Sequence, residues 1–178
     1  HHLGEVTYFS PLADTSLPDA GFVYLPGGYP ELYLAALSAN RQMLQSIRRY
    51  VESGGKLLAE CGGMMYLCDE IRDKNGYVYP MAGVLHQSAT MENMKLRLGY
   101  RTLLYNETRL KGHEFHYSRL VEQQNPLPSC AVAYTAKGVE TDTPLYHYKN
   151  VWAGYTHLYW ADPVGNEWFT KFVIDGNT

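Results

Sequence analysis

The stretch Lys56-Leu-Leu-Ala-Glu-Cys61-Gly-Gly-Met-Met-Tyr-Leu67 decides how this chain folds. Lys56 to Ala59 is an apolar run of the length of a buried strand, and Met64-Met65-Tyr66-Leu67 opens an apolar helix, which leaves Cys61 on the turn between them. Glycines at 62 and 63 allow that turn to be sharp. An elbow of this kind lifts its central side chain out of the sheet and aims the following backbone N–H groups at the same point, the geometry a nucleophile needs. The plainer alternative is a buried free cysteine beside a tight turn, since a thiol packs as a small hydrophobe. This window fits both.

Upstream, Gly21-Phe-Val-Tyr-Leu-Pro-Gly-Gly28 reads as another buried strand running into a glycine pair. Pro30 suits a first helical turn and Glu31 its positive end. Apolar residues at 32, 35, 36 and 37 are interrupted by Ser38-Ala-Asn40, then Met43, Leu44, Ile47, Tyr50 and Val51 resume at helical spacing until Gly54-Gly55. One broken helix or two short ones are expected. Strand, helix, strand, helix within this span predicts a parallel sheet with right-handed crossovers, whose ligands sit at the carboxyl ends of the strands. Gly27-Gly28 and Cys61-Gly62 both fall on that edge.

The flanks read differently. Val6 to Phe9 is expected as a short strand and Ser10 to Ala20 as a loop, while His1-His2 resembles a tag remnant and is set aside. Past residue 76, Leu96 to Leu104 alternates apolar and polar residues, and Glu114 to Val121 and Ala131 to Tyr134 add strands separated by short turns. That part is expected to be antiparallel or mixed. Val151 to Trp160 is a last strand region and Pro163 to Ile174 a closing helix with Trp168, Phe169, Phe172 and Val173 on one face.

With 178 residues, 46% of them hydrophobic, the chain suits one α/β domain with a sizeable core. Its net charge of −3, without any run of Lys or Arg, gives no reason to expect a nucleic-acid or anionic-membrane surface, and favours a small molecule or a protein as partner. No apolar run approaches the roughly 18 to 20 residues of a membrane span. Cysteines 61, 68 and 130 are odd in number and lack metal-ligand spacing, which makes a reducing cytoplasm the expected compartment.

A cysteine nucleophile needs a base. A helix N-terminus contributes at most ~2 kcal/mol, or about one and a half pKa units below a thiol near 8.5, so a histidine must supply the rest. The candidates are His86, His113, His116, His147 and His157. His157 follows the strand Val151-Trp-Ala-Gly-Tyr-Thr156 at its carboxyl end, the edge where Cys61 is expected. His113 and His116 form a His-x-x-His pair that invites a metal, but in an extended strand they face opposite sides and no third ligand has suitable spacing.

Phe9-Ser-Pro-Leu-Ala-Asp14, Pro26-Gly-Gly-Tyr-Pro-Glu-Leu32, Ala59-Glu-Cys-Gly-Gly-Met-Met-Tyr-Leu67, Gly112-His-Glu-Phe-His-Tyr-Ser118 and Tyr155-Thr-His-Leu158, taken in this order, resemble the glutamine amidotransferase domain of cobyrinic acid a,c-diamide synthases. These are class I, triad-type amidotransferases of cobalamin biosynthesis. The resemblance spans nearly the whole chain and implies an open, doubly wound, mainly parallel flavodoxin-like sheet with some antiparallel strands. It makes Cys61 the nucleophile and His157 its base, with backbone N–H groups at Gly28 and Gly62 as the oxyanion hole. It also suggests His116, Tyr117 and Ser118 as lining for glutamine, against an ordinary edge-strand packing role for that segment.

The implied activity is release of ammonia from glutamine, followed by ATP-dependent amidation of the a and c carboxylates of a corrinoid. ATP and magnesium belong to an N-terminal synthetase domain or subunit that these 178 residues do not contain. Residues 3–178 are therefore expected to be a glutaminase domain lacking its first strand and helix. The same half-reaction could serve cobyric acid or nickel-sirohydrochlorin amidation, and a non-catalytic binding module could share the fold. One departure stands out: many class I members carry a glutamate two residues after the catalytic histidine, and here that position is Tyr159. The sequence names no other orienting group for His157.

Overall fold

The structure, a computed structural model, describes residues 3–175; the proposed tag remnant His1-His2 lies outside them. The strands are β1 (Phe22–Leu25), β2 (Lys56–Glu60), β3 (Glu70–Arg72), β4 (Val78–Pro80), β5 (Ser88–Thr90), β6 (Arg97–Tyr105), β7 (Thr108–His116), β8 (Arg119–Leu120), β9 (Val132–Thr135), β10 (Glu140–Thr141), β11 (Leu145–Tyr148), β12 (Val151–Gly154) and β13 (His157–Leu158). The helices are α1 (Leu34–Ala39), α2 (Arg41–Glu52), α3 (Gly62–Leu67) and α4 (Pro163–Asp175), with a 3₁₀ turn at Pro30–Leu32.

The sheet that carries the site has the order β1-β2-β12-β11, with β2 parallel to both neighbours and β11 antiparallel. Its centre is β2, where every residue from Leu57 to Glu60 is buried. Period-two alternation splits this strand between two cores. Leu57 and Ala59 join Met43, Ile47, Val51 and Met64 on the face covered by α2 and α3, whereas Leu58 joins Trp152, Trp168 and Phe172 beneath α4. A strand apolar on both faces must have helices on both, as the uninterrupted run in the sequence requires.

The interrupted helix resolves into α1 and α2, and Asn40 is the reason for the break. Its side chain accepts the Met43 N–H and thereby caps α2, while its amide Nδ2 donates to the carbonyls of Pro11 and Asp14 at 2.8 Å each, anchoring the N-terminal loop. Val6 to Phe9, expected as a strand, pairs with nothing among the described residues. Val6 and Tyr8 are 75% and 90% exposed, so their alternation has no face to bury.

Two further sheets complete the fold, β10-β9-β6-β7-β13 and β4-β3-β5-β8. The mainly parallel character therefore belongs to the site sheet. Over the described residues, three parallel ladders stand beside seven antiparallel ones. The strand expected at Glu114–Val121 is divided: β7 ends at His116, and β8 pairs with β5 instead. Among the described residues no helix is long and apolar enough to cross a membrane.

Candidate active site

Cys61 ends β2 and precedes α3 with φ 48° and ψ −106°, a region almost closed to residues with a Cβ. Holding such a conformation costs on the order of 1–3 kcal/mol, so the surroundings must impose it. They do so from both sides: the Cys61 N–H donates to the Gly154 carbonyl of β12 at 2.8 Å, and the Cys61 carbonyl accepts from Met65 N at 3.0 Å, closing the first turn of α3. The elbow read from the sequence is thus present, and its central residue carries the strain.

The glycine pairs bring the strand ends together. A Cβ on Gly62 would stand 2.6 Å from the Gly28 carbonyl oxygen and 2.9 Å from its nitrogen, so the two peptides touch only because residue 62 has no side chain. A Cβ on Gly27 would overlap Cε1 of His157 and stand 2.9 Å from its Nε2. The Pro26-Gly-Gly28 turn therefore touches both the elbow and the histidine. Gly28 and Cys61 line a small cleft whose far wall is Phe115, His116, Tyr117 and Ser118, with Tyr29 and Glu31 at its mouth. His157 is not part of that lining. It stands against Gly27, half-buried, its ring stacked on His113 with centroids 5.0 Å apart.

Antiparallel pairing of β13 with β7 sets His157 opposite His113. Alternation along β7 turns His113, Phe115 and Tyr117 outward and Glu114, His116 and Ser118 inward, so the two histidines of the His-x-x-His pair do face opposite ways. His116 is buried flat against Tyr155, ring centroids 3.8 Å apart, with Nδ1 2.9 Å from the Ser118 carbonyl. The Ser118 hydroxyl donates to Tyr155 Oη at 3.1 Å. Behind this wall the buried Glu114 carboxylate meets Arg101 at 2.9 Å. Burial would raise its pKa, but hydrogen bonds from His116 and Thr143 and the Arg101 charge hold it lower than usual.

Protonation follows from burial. The Cys61 thiol is pushed up to about 11 by desolvation, opposed by the Gly62 N–H and reinforced by the Glu31, Glu114 and Glu60 charges. His157 is held below its ordinary value by desolvation and by the charges of His113 and His116. Both groups are neutral at pH 7, the state in which an imidazole can take a thiol proton.

Glu60 escaped the sequence reading. Its carboxylate, buried under β13, accepts the Tyr24 hydroxyl at 2.6 Å and the Leu158 N–H at 3.0 Å, and lies 3.8 Å from His157 Nδ1. A carboxylate closing an otherwise apolar buried strand was the available signal. Tyr159, which stands where a triad glutamate is common, is 60% exposed.

This arrangement is the fold of the glutamine amidotransferases. A crystal structure of a glutamine amidotransferase superposes with TM-score 0.56 at 18% identity over 86% of this chain and 78% of that one. The structure of PurLQS from Thermotoga maritima follows at TM-score 0.53 and 17% identity, over 82% of this chain and 72% of that one.

The chain belongs to the CobB/CobQ-like glutamine amidotransferase domain family, whose model matches residues 1–164. It is 39% identical over 160 residues to hydrogenobyrinate a,c-diamide synthase of Pseudomonas aeruginosa, covering 87% of this chain and 35% of that protein. Over 163 residues it is 39% identical to cobyrinate a,c-diamide synthase of Fusobacterium nucleatum, with the same two coverages of 87% and 35%. The chain thus spans about a third of the length of these curated relatives.

Proposed function

We propose that this domain hydrolyses glutamine at Cys61 and delivers the ammonia to a synthetase portion that amidates the a and c carboxylates of a corrinoid in an ATP-dependent reaction. The observation that carries the reading is the positive-φ Cys61 elbow packed against the Gly28 peptide, with His157 against Gly27 of the same turn. The names of the two a,c-diamide synthases support the acceptor. Nε2 of His157 takes the Cys61 proton, and the thiolate attacks the carbon of the glutamine side-chain amide. N–H groups of Gly28 and Gly62 hold the oxyanion. His157 returns the proton to the departing ammonia, then activates the water that hydrolyses the γ-glutamyl thioester and frees glutamate. His116, Tyr117 and Ser118 form the wall against which the glutamine lies.

Among the described residues no group of three or more His, Cys, Asp or Glu side chains is placed to hold a metal ion. Magnesium and ATP are assigned to the synthetase portion, and none of the steps above passes through them. That portion also selects the acceptor. Cys61, Cys68 and Cys130 carry free thiols, and a mechanism that needs Cys61 reduced fits the cytoplasm.

The test is alkylation of Cys61 by 6-diazo-5-oxonorleucine, a glutamine-shaped electrophile, followed by peptide mass spectrometry. Labelling confined to Cys61 and suppressed by glutamine is expected. Slow labelling, equal at all three cysteines and indifferent to glutamine, would mean a binding module with a buried thiol.

A further inference from the structure

We propose that Glu60, the residue immediately before the nucleophile, is the positioning carboxylate for His157, taking the place that in many other class I members is filled from two residues after the histidine. The proposal rests on the glutaminase reading above. Its starting point is a buried carboxylate that the hydrolysis steps do not otherwise use. The Glu60 side chain is 5% exposed in the last position of the central strand, where a charge is costly unless it is well paired.

Two donors from distant parts of the chain hold it. The Tyr24 hydroxyl, from β1, donates to Oε2, and the Leu158 N–H, from β13, donates to Oε1. Leu158 follows His157 directly, so Glu60 grips the backbone beside the imidazole as well as facing its ring. The Oε2 to Nδ1 separation of 3.8 Å is longer than a hydrogen bond and within ion-pair reach. It closes as the imidazolium forms, as catalytic contacts commonly tighten on going from the free enzyme to the reacting complex.

The rest of the ring's surroundings leave Nδ1 for the carboxylate and Nε2 for the chemistry. One face stacks on His113 of β7 and Cε1 points at Gly27 with a nitrogen on either side of it, and of the two nitrogens it is Nδ1 that stands within ion-pair reach of Glu60. The charges of His113 and His116 oppose a proton on His157, and among the described residues Glu60 is the carboxylate that stands within ion-pair reach of its ring. Glu114 is engaged with Arg101, and the hydroxyl of Thr156 donates to its Oε1 at 3.4 Å. A proton kept on Nδ1 by Glu60 leaves the Nε2 lone pair free to accept from the thiol, which is the service a third triad member performs.

A brace between β1 and β13 would use the same hydrogen bonds, so the experiment must separate bracing from positioning. Rates of 6-diazo-5-oxonorleucine labelling at Cys61 are measured across pH for wild type, Glu60→Gln, Glu60→Asp and Tyr24→Phe, together with the titration of the His157 ring by nitrogen NMR. Glu60→Gln is expected to lower the limiting rate by about 100-fold, the low end of what a positioned acid–base group contributes, with half-saturation unchanged. Its His157 should titrate at lower pH than in wild type. Glu60→Asp keeps the charge and should label at an intermediate rate, which also serves if the glutamine variant does not fold. Tyr24→Phe removes one brace and keeps the carboxylate, and should stay within about threefold of wild type while losing thermal stability.

A Glu60→Gln variant that labels at the wild-type rate, with His157 titrating at the same pH, overturns the positioning role and leaves the glutaminase reading standing. Equal losses in Glu60→Gln and Tyr24→Phe that track their melting temperatures reduce Glu60 to a brace. Wild-type Cys61 that glutamine does not protect overturns the glutaminase reading and this assignment with it.

Discussion

At the scale of the residue, the odd feature is that the thiol of the proposed nucleophile is harder to ionise than a free one. Burial dominates over the Gly62 N–H, so Cys61 cannot wait as a thiolate and must be deprotonated in the act. Two outcomes follow. A small alkylator without glutamine character, such as iodoacetamide, should react slowly with Cys61 at pH 7, its rate rising with pH toward about 11 as the thiolate fraction grows. Glutamine hydrolysis should instead depend on neutral His157. Because the folded pKa of that imidazole lies below 6.5, the base stays unprotonated as pH falls through 6.5, and the acid limb of kcat/KM should lie on the acid side of that value. Replacing His113 by Gln removes one of the charges that depress it and should move the limb to higher pH. In a complete synthase, Cys61→Ala and Cys61→Ser should abolish amidation with glutamine while leaving amidation with added ammonia largely intact. His157→Asn should do the same with a smaller loss. Equal loss of the ammonia-driven reaction would contradict a modular glutaminase.

At the scale of the element, the β2–Cys61–α3 unit was legible because its information is local: an apolar run, two glycines, a second apolar run. The helix at Arg41–Glu52 and the closing helix at Pro163–Asp175 were legible for the same reason, through spacing that burial then matched. What escaped depends on distant partners. The three-residue strands β3, β4 and β5 are too short for alternation to register, and they exist through pairing, β3 with both β4 and β5, and β5 also with β8. Val6 to Phe9 had the alternation and lacks the partner. Glu60 is the same lesson inside the site, since its meaning comes from Tyr24 and Leu158, 36 and 98 residues away. The elbow itself offers a prediction. Gly62→Ala drives a methyl to 2.6 Å from the Gly28 carbonyl, backbone against backbone, so relief requires moving α3 or the Pro26-Gly-Gly28 turn. A loss of ~1–3 kcal/mol in thermal or urea unfolding is expected. Gly27→Ala strikes the side chain of His157 instead of backbone, and should cost activity well before it costs stability.

At the scale of the whole molecule, the cleft opens onto a face that a free-standing enzyme has little reason to keep apolar. Leu98 and Tyr100 of β6 are 62% and 75% exposed, and the β6–β7 register sets them beside Phe115 and His113, so the patch runs continuously from the cleft wall to the stacked His113–His157 pair. The site sheet also ends in β1, whose outer edge joins no ladder among the described residues. The relatives are nearly three times as long as the matched segment, and the synthetase portion proposed above is the partner this face and edge suit. On this reading the isolated chain should show weak glutaminase turnover and a tendency to self-associate. Extending it at the N-terminus with the corresponding segment of a relative should raise the melting temperature, and supplying the synthetase portion should raise turnover. Tyr100→Glu, on the patch and outside the cleft, should leave 6-diazo-5-oxonorleucine labelling of the isolated chain unchanged, reduce its self-association, and weaken the stimulation by the synthetase portion. Light scattering, thermal melts and ammonia-release assays measure each of these. Full turnover and an unchanged melting temperature in the short chain would show that neither the face nor the β1 edge needs a partner.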